Sequence, residues 1–445
     1  MKLPVPPPDM ATLLQQISAD REKLGRLITA GLSPAPGGRY MHWHKLRFRP
    51  APDGFTPEEW WLAIKVARST ILKFLPLLDT KGRPFRVCMP DPVLEMVQRI
   101  DRDASGRIQI SEQVTNPATR DRYIVSSLIE EAITSSQLEG AATTHKVAKD
   151  MIRTGRKPKD RSERMILNNY RSMMHIRKLK DDLLTPENVL DLHRMLVSDT
   201  LEDSSAAGRF RTPDETIHVW DMRDGTVLHN PPPSEQLEDR MTRMCAFANG
   251  EGVDFYLHPV VKAILLHFWL AYDHPFVDGN GRTARALFYW SMLRQGYWLS
   301  EYLSISSVVK KAPGQYMRAY LYSESDENDA TYFVLFHLRV IQLAIDKLHA
   351  YLGRKMIELR QTEGLLRRMP ELNHRQIAVL SHALRHPDGQ YSIQSHRSSH
   401  GVVYQTARSD LLDLVSKGLL VHRRIGRRYY FFPPEDLSDR VGAVV

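Results

Sequence analysis

One stretch, from Pro259 to Arg294, limits what this chain can fold into more than any other. Val260 to Tyr272 is apolar nearly all round, the signature of a helix buried on every side. His274-Pro-Phe follows, and Pro275 forces a break. Asp278-Gly-Asn-Gly281 then leads into a second helix, Arg282 to Arg294. A helix with no solvent face needs neighbours on all sides, and residues from about 96 to 360 read as mostly helical, so a mainly α chain is expected.

The loop between these helices also carries reactive chemistry. Glycines at 279 and 281 leave backbone N–H groups unobstructed at a helix N-terminus, where orphan donors and the helix dipole together favour phosphate. Arg282 and Arg285, one turn apart, are expected on one face, where both can grip phosphate oxygens. Asp278 sits at the mouth, where a carboxylate can hold Mg²⁺ against those phosphates. His274 is the one nearby side chain whose ordinary pKa suits a general base at neutral pH. An anion cradle, a metal ligand and a base are the parts that phosphoryl or nucleotidyl transfer requires.

His274-Pro-Phe-Val-Asp-Gly-Asn-Gly-Arg-Thr-Ala-Arg285 resembles the Fic motif, His-x-Phe-x-(Asp/Glu)-Gly-Asn-Gly-Arg-x-x-Arg, at every specified position. The resemblance implies transfer of AMP from ATP to a Ser, Thr or Tyr hydroxyl of a protein, with pyrophosphate released. By it, His274 deprotonates the hydroxyl, Phe276 locks the loop into the core and Asp278 binds Mg²⁺. Gly279, Asn280 and Gly281 cradle the phosphates near the reacting centre, while Arg282 and Arg285 serve the outer ones. A kinase binding ATP in the reversed sense is a competing reading, but in the family it goes with an altered cradle and a lost second arginine.

Thr134-Ser-Ser-Gln-Leu-Glu-Gly140 resembles the inhibitory motif of the same family, as Ser135, Glu139 and Gly140. It implies a brake within the chain, with Glu139 pairing to Arg285 in the place of the ATP γ-phosphate. Some members also remove AMP, and the sequence does not separate the two directions.

At 445 residues the chain suits two or three units. With 42% hydrophobic and 25% charged residues it has a globular balance, and its formal charge of +9 is compatible with acidic partners. Cys88 and Cys245, far apart, read as buried small hydrophobes. Proline interrupts the N-terminus where an export signal needs an apolar run, and Ala263 to Tyr272 is too short to span a bilayer. A cytoplasmic location without membrane association is expected.

Breakers suggest three regions: 1–95, mixed α/β with a turn in Leu77–Phe85; 96–360, the Fic-type helical domain; and 372–434. Within the second, one helix is expected over about 123–152. Thr185 and Pro186 start another helix as N-cap and first residue. At about 215–233, Ile217–Trp220 and Thr226–Leu228 flank an Asp224-Gly225 turn, and by the resemblance this hairpin is the flap that holds the target segment.

The third region reads as three helices (375–385, 393–399, 402–417) and two strands around Gly426, the order of a winged helix-turn-helix. Arg423, Arg424, Arg427 and Arg428 on its wing suit phosphate contacts, whereas Asp410 and Asp413 on the third helix argue against DNA. DNA binding and protein docking or dimerisation both stay open for it. The expected partners are ATP, a protein bearing the acceptor hydroxyl, the chain itself through automodification, and DNA. Oligomerisation is left open, and a DNA-binding regulator whose Fic core senses nucleotide is the alternative from another class.

Overall fold

The computed structural model describes residues 2–29, 33–104, 117–221, 223–367, 369, 371–385, 387, 389–425 and 428–443. The protein is mainly α and divides into two compact units, Met1–Leu348 and His349–Val445.

In the first unit, α1 (Met10–Ser18), α2 (Arg21–Thr29), α3 (Trp43–Leu46) and α4 (Pro57–Ser69) come first. A capping box starts α4: the Thr56 side chain accepts from Glu59 N while Glu59 accepts from Thr56 N, and Pro57 sits where its missing N–H costs nothing. Strands β1 (Lys73–Leu78) and β2 (Pro84–Val87) pair antiparallel across the turn anticipated in 77–85. Asp79 closes that turn by accepting from the N–H groups of Lys81 and Arg83.

Next come α5 (Asp91–Ala104), α6 (Pro117–Leu138), α7 (His145–Thr154), α8 (Arg161–Leu179) and α9 (Pro186–Val197). The single helix expected over 123–152 is two helices, because the chain turns at Gly140, which has φ 92°, and Thr144 then caps a new start at Val147 N. Thr185 and Pro186 start α9 as the sequence indicates. The hairpin of β3 (Val219–Trp220) and β4 (Val227–His229) is shorter than the expected extended segments and lies within them but for His229.

After α10 (Leu237–Asn249), the helices α11 (Pro259–Asp273) and α12 (Asn280–Arg294) pack directly on one another, with α8 and α9 also against α12. All of α11 is buried except Pro259, Lys262 and Ala271, which accounts for its lack of a polar stripe. The short α13 (Ser306–Val309), α14 (Pro313–Ser325) and α15 (Thr331–Arg367) follow. Asp326, between α14 and α15, ties this region to α4: it accepts from Lys65 Nζ at 2.8 Å and Tyr332 Oη at 2.7 Å, with Arg68 Nη1 at 3.8 Å. All of these side chains are buried.

The second unit contains α16 (His374–Arg385), β5 (Tyr391–Ser392), α17 (Ile393–His400), α18 (Tyr404–Ser416), β6 (Val421–Ile425), β7 (Arg428–Phe432) and α19 (Leu437–Ala443). The three strands form an antiparallel sheet in the order β5-β7-β6. Two residues of β5 were too few to leave a pattern in the sequence. Leu380, Leu411, Leu414 and Phe431 centre its core. Asp410 does not face solvent: it is buried and accepts from Arg375, His396 and Asn373. Asp413 accepts from Gln376 and Lys417. These carboxylates answer cations and amides of their own unit, Asp410 from within it and Asp413 from a partly exposed position. Arg423 and Arg424 are exposed on β6, Arg428 begins β7, and Arg427 and Gly426 lie outside the described residues.

Replacing Asp326 by Ala leaves the buried Arg68 without a carboxylate and Lys65 with only the half-exposed Glu327. The expected loss is about 3–5 kcal/mol of stability, read from chemical denaturation of the variant against the parent.

Candidate active site

The loop 274–279 is held open by its own sequence. His274 adopts φ 45°, rare for a residue with a side chain, and donates its N–H to Leu270 O as the C-cap of α11. Arg211 fixes that geometry from outside, with Nε donating to His274 O at 3.0 Å and its own N–H to Pro275 O at 2.9 Å. The His274 Nδ1 lies 3.2 Å from Ala271 O, so Nδ1 carries the proton. Nε2 has no protein partner among the described residues. Burial pulls the His274 pKa down to about 4, which keeps the ring neutral and its Nε2 lone pair available at pH 7.

Below the loop, Phe276 is fully buried and stacks on His193 with ring centres 3.7 Å apart. Asn280 clasps the backbone of Phe276 from both sides, accepting from its N–H at 3.0 Å and donating to its C=O at 2.7 Å. The Asn280 side chain is therefore committed to the loop, and only its backbone remains for a phosphate. At Gly279, which has φ 87°, a Cβ would meet Val197 and His193. At Gly281 a Cβ would overlap the Glu139 carboxylate.

Arg285 is buried and makes three bonds to α6 and the turn after it. Its Nε donates to Ser135 Oγ at 2.8 Å, and its Nη2 to Ser135 O at 3.1 Å and Glu139 Oε1 at 2.7 Å. Gly140 directly follows Glu139 in the left-handed turn. A cavity of about 150 Å³ is lined by Glu139, His274, Gly281 and Arg285 and walled by Tyr316 and Tyr320.

Asp278 and Arg282 are joined to one another. Arg282 is wholly buried, donating from Nη2 to Asp278 Oδ1 at 3.1 Å and from Nη1 to Leu196 O at 3.2 Å, and it does not line the cavity. It shares a helix with Arg285, but the two guanidiniums serve different neighbours. Asp278 also accepts from Gly279 N–H and, through Oδ2, from Arg161 at 3.3 Å. Among the described residues no group of three or more His, Cys, Asp or Glu side chains could hold a metal. A Mg²⁺ fits here only in the manner in which one carboxylate shares the ion with substrate phosphates.

Several residues escaped the sequence reading. Glu131 is fully buried beside Arg285 and accepts from Ser306 Oγ, Ser306 N–H and Ser304 Oγ, while burial pushes its pKa up. Residues 131, 135 and 139 recur every four positions, a spacing that could have revealed it. His229 pins the hairpin to the end of α11, donating from Nε2 to Tyr272 O at 2.7 Å with Nδ1 at 2.9 Å from Glu324. Asp273 anchors the same helix end through Arg240 and Trp269.

The Fic/DOC family model matches residues 183–292. Protein adenylyltransferase Fic of Culex quinquefasciatus is 28% identical over 205 residues, 45% of this chain and 38% of that protein. The protein of the same name from Nematostella vectensis is 27% identical over 206 residues, 46% of this chain and 45% of that one. The chain thus spans less than half the length of these relatives. A crystal structure of a Fic family protein from Desulfovibrio desulfuricans G20 shares the fold, with TM-score 0.52 and 18% identity, over 77% of this chain and 95% of that one. Among the described residues no helix is long and apolar enough to cross a membrane.

His193 yields a pH test. Its Nδ1 accepts from Gly208 N–H and its Nε2 donates to Asp278 O, so protonation would set two donors face to face. Burial holds its pKa at about 4, below the 6.5 of the unfolded chain. Its stabilisation is present above pH 6.5 and is lost as pH falls through 4, an expected loss of about 3 kcal/mol. His193→Gln should flatten the denaturation-versus-pH profile over that window relative to the parent.

Proposed function

From the premise that this chain is a Fic family protein, we propose that it transfers AMP from ATP to a protein hydroxyl and is held slow by its own Glu139. One observation carries the reading. The free Nε2 of His274, the N-terminus of α12 at Gly281 and the Arg285 guanidinium share one cavity, and Glu139 fills part of it. At about 150 Å³ that cavity is smaller than the roughly 300–1,000 Å³ of ordinary ligand pockets. A nucleotide must therefore displace the carboxylate before its phosphates reach Arg285.

Once Glu139 withdraws, the backbone N–H groups at Asn280 and Gly281, together with Arg285, hold the phosphate chain by charge-assisted donors. His274 Nε2 takes the proton of the target hydroxyl, whose oxygen bonds to the α-phosphorus. The bond from that phosphorus to the bridging oxygen breaks, and pyrophosphate leaves. Mg²⁺ at Asp278 would supply neutralisation of phosphate charge, with Arg282 and Arg161 aligning the carboxylate. The β3–β4 hairpin offers a short edge for strand pairing with the target, and the exposed Trp220 offers an apolar contact.

ATP labelled at the α or the γ position separates AMP transfer from phosphate transfer. Glu139→Gly should raise α-label incorporation, including automodification, by roughly tenfold or more. An unchanged rate removes Glu139 from the brake role. His274→Ala should lower transfer by about 10²–10⁴-fold while nucleotide binding survives. Full activity in that variant overturns the base assignment.

For the second unit we infer a winged helix-turn-helix that binds DNA. The supporting observation is that Asp410 is buried and Asp413 paired within the unit, whereas Gln405, Arg408 and Ser409 of α18 are exposed. Mobility of a DNA duplex should shift with the protein at low salt and recover steeply as salt rises. No shift at low salt favours protein docking instead.

A further inference from the structure

The first unit contains a second cleft, of about 670 Å³, whose charged lining is all cationic. Arg39, Lys45, Arg49, Arg318 and Arg339 all line it, and no carboxylate does. None of the five has an ion-pair partner among the described residues. They arrive from separate places: the loop before α3, α3 and its C-terminal flank, α14 and α15. Solvated lysines and arginines normally repel one another apart; here the fold brings them to one concavity.

Two further observations show that this concavity is built. The Tyr322 side chain is 7% exposed and lines the cleft, yet its hydroxyl has no hydrogen-bond partner among the described residues. Its ring is fixed by stacking on His42, with centres 4.3 Å apart and planes within 8°. A buried hydroxyl left unmade costs about 1–3 kcal/mol unless something else answers it. In addition, partial desolvation together with the charges of Arg318 and Arg339 lowers the Lys45 pKa, so the cations sit close enough to feel each other.

We propose that this cleft binds a linear chain of two or more phosphates, as found in inorganic polyphosphate or in a nucleoside di- or triphosphate. The cations converge from several elements and can contact successive phosphates at once. The volume falls within the range of small-molecule sites. This assignment stands independently of the AMP-transfer reading. Helix α14 is nevertheless a shared wall: Tyr316, Tyr320 and Glu324 face the catalytic cavity, and Arg318 and Tyr322 face the cleft.

The test uses the full chain and a local readout. Lys45 is exposed, and its acetylation by acetic anhydride can be followed by mass spectrometry, with the exposed Lys81 on the β1–β2 turn as control. Inorganic tripolyphosphate at low salt should protect Lys45 and leave Lys81 unchanged, with protection fading at high salt. The double variant Arg318→Ala/Arg339→Ala should bind tripolyphosphate roughly tenfold more weakly or worse in calorimetric titration, with thermal melting to verify folding. Protection by ATP at lower concentration than tripolyphosphate identifies a nucleotide as the occupant; equal protection identifies the phosphate chain alone. Unchanged Lys45 reactivity with both, undiminished binding in the folded double variant, or protection by a single-stranded oligonucleotide alone overturns the proposal.

Discussion

Arg285 is the residue on which the site depends. Its guanidinium has five donors in a fixed plane and cannot lose its charge, so burial obliges the surrounding chain to supply acceptors. Ser135 offers both its hydroxyl and its carbonyl, and Glu139 adds a carboxylate. These contacts clamp α6 to α12 at the cavity. On the proposed reading, a phosphate would compete for the donor that Glu139 holds, so the same contacts that join α6 to α12 would also set access to Arg285. The nearby Glu131 is bound by serines rather than by Arg285, which leaves Glu139 as the partner that can exchange.

The rest of the loop is rigid for reasons that do not involve a ligand. Phe276 is stacked on His193, Asn280 holds Phe276 by two bonds, and Arg211 holds the carbonyls of His274 and Pro275. His274 is thereby kept in a strained backbone conformation with its tautomer set by Ala271 O. Such preorganisation matters because a general base works only within hydrogen-bond reach of the proton it takes.

Legibility in the sequence followed the range of the interactions. Helices α9, α11 and α12, the Thr185 cap and the β3–β4 turn were readable because local signals fix them: periodicity, Pro at the first turn, Asp-Gly at a hairpin. The His274–Arg285 segment stood out because its candidate residues lie together in one short loop and helix start, and because it resembles a known motif. What escaped depends on chain segments that meet only in three dimensions. Arg282 was expected beside Arg285 but is drawn to Asp278 and Leu196 O, a choice set by α9. Asp410 read as a surface acid because its partners Arg375 and His396 lie on other helices. The break at Gly140 was hidden because apolar residues continue at helical spacing on both sides of it.

Gly281 has a consequence for how this sequence can drift. The spot where a side chain would begin is filled by the Glu139 carboxylate, and the N–H of the same residue belongs to the helix end expected to receive phosphate. Any larger residue there would crowd out the brake and narrow the cradle together. On the proposed reading, loss of restraint through this position would come together with loss of the catalyst, so a variant that keeps the activity but sheds the restraint would have to change on the side of Glu139.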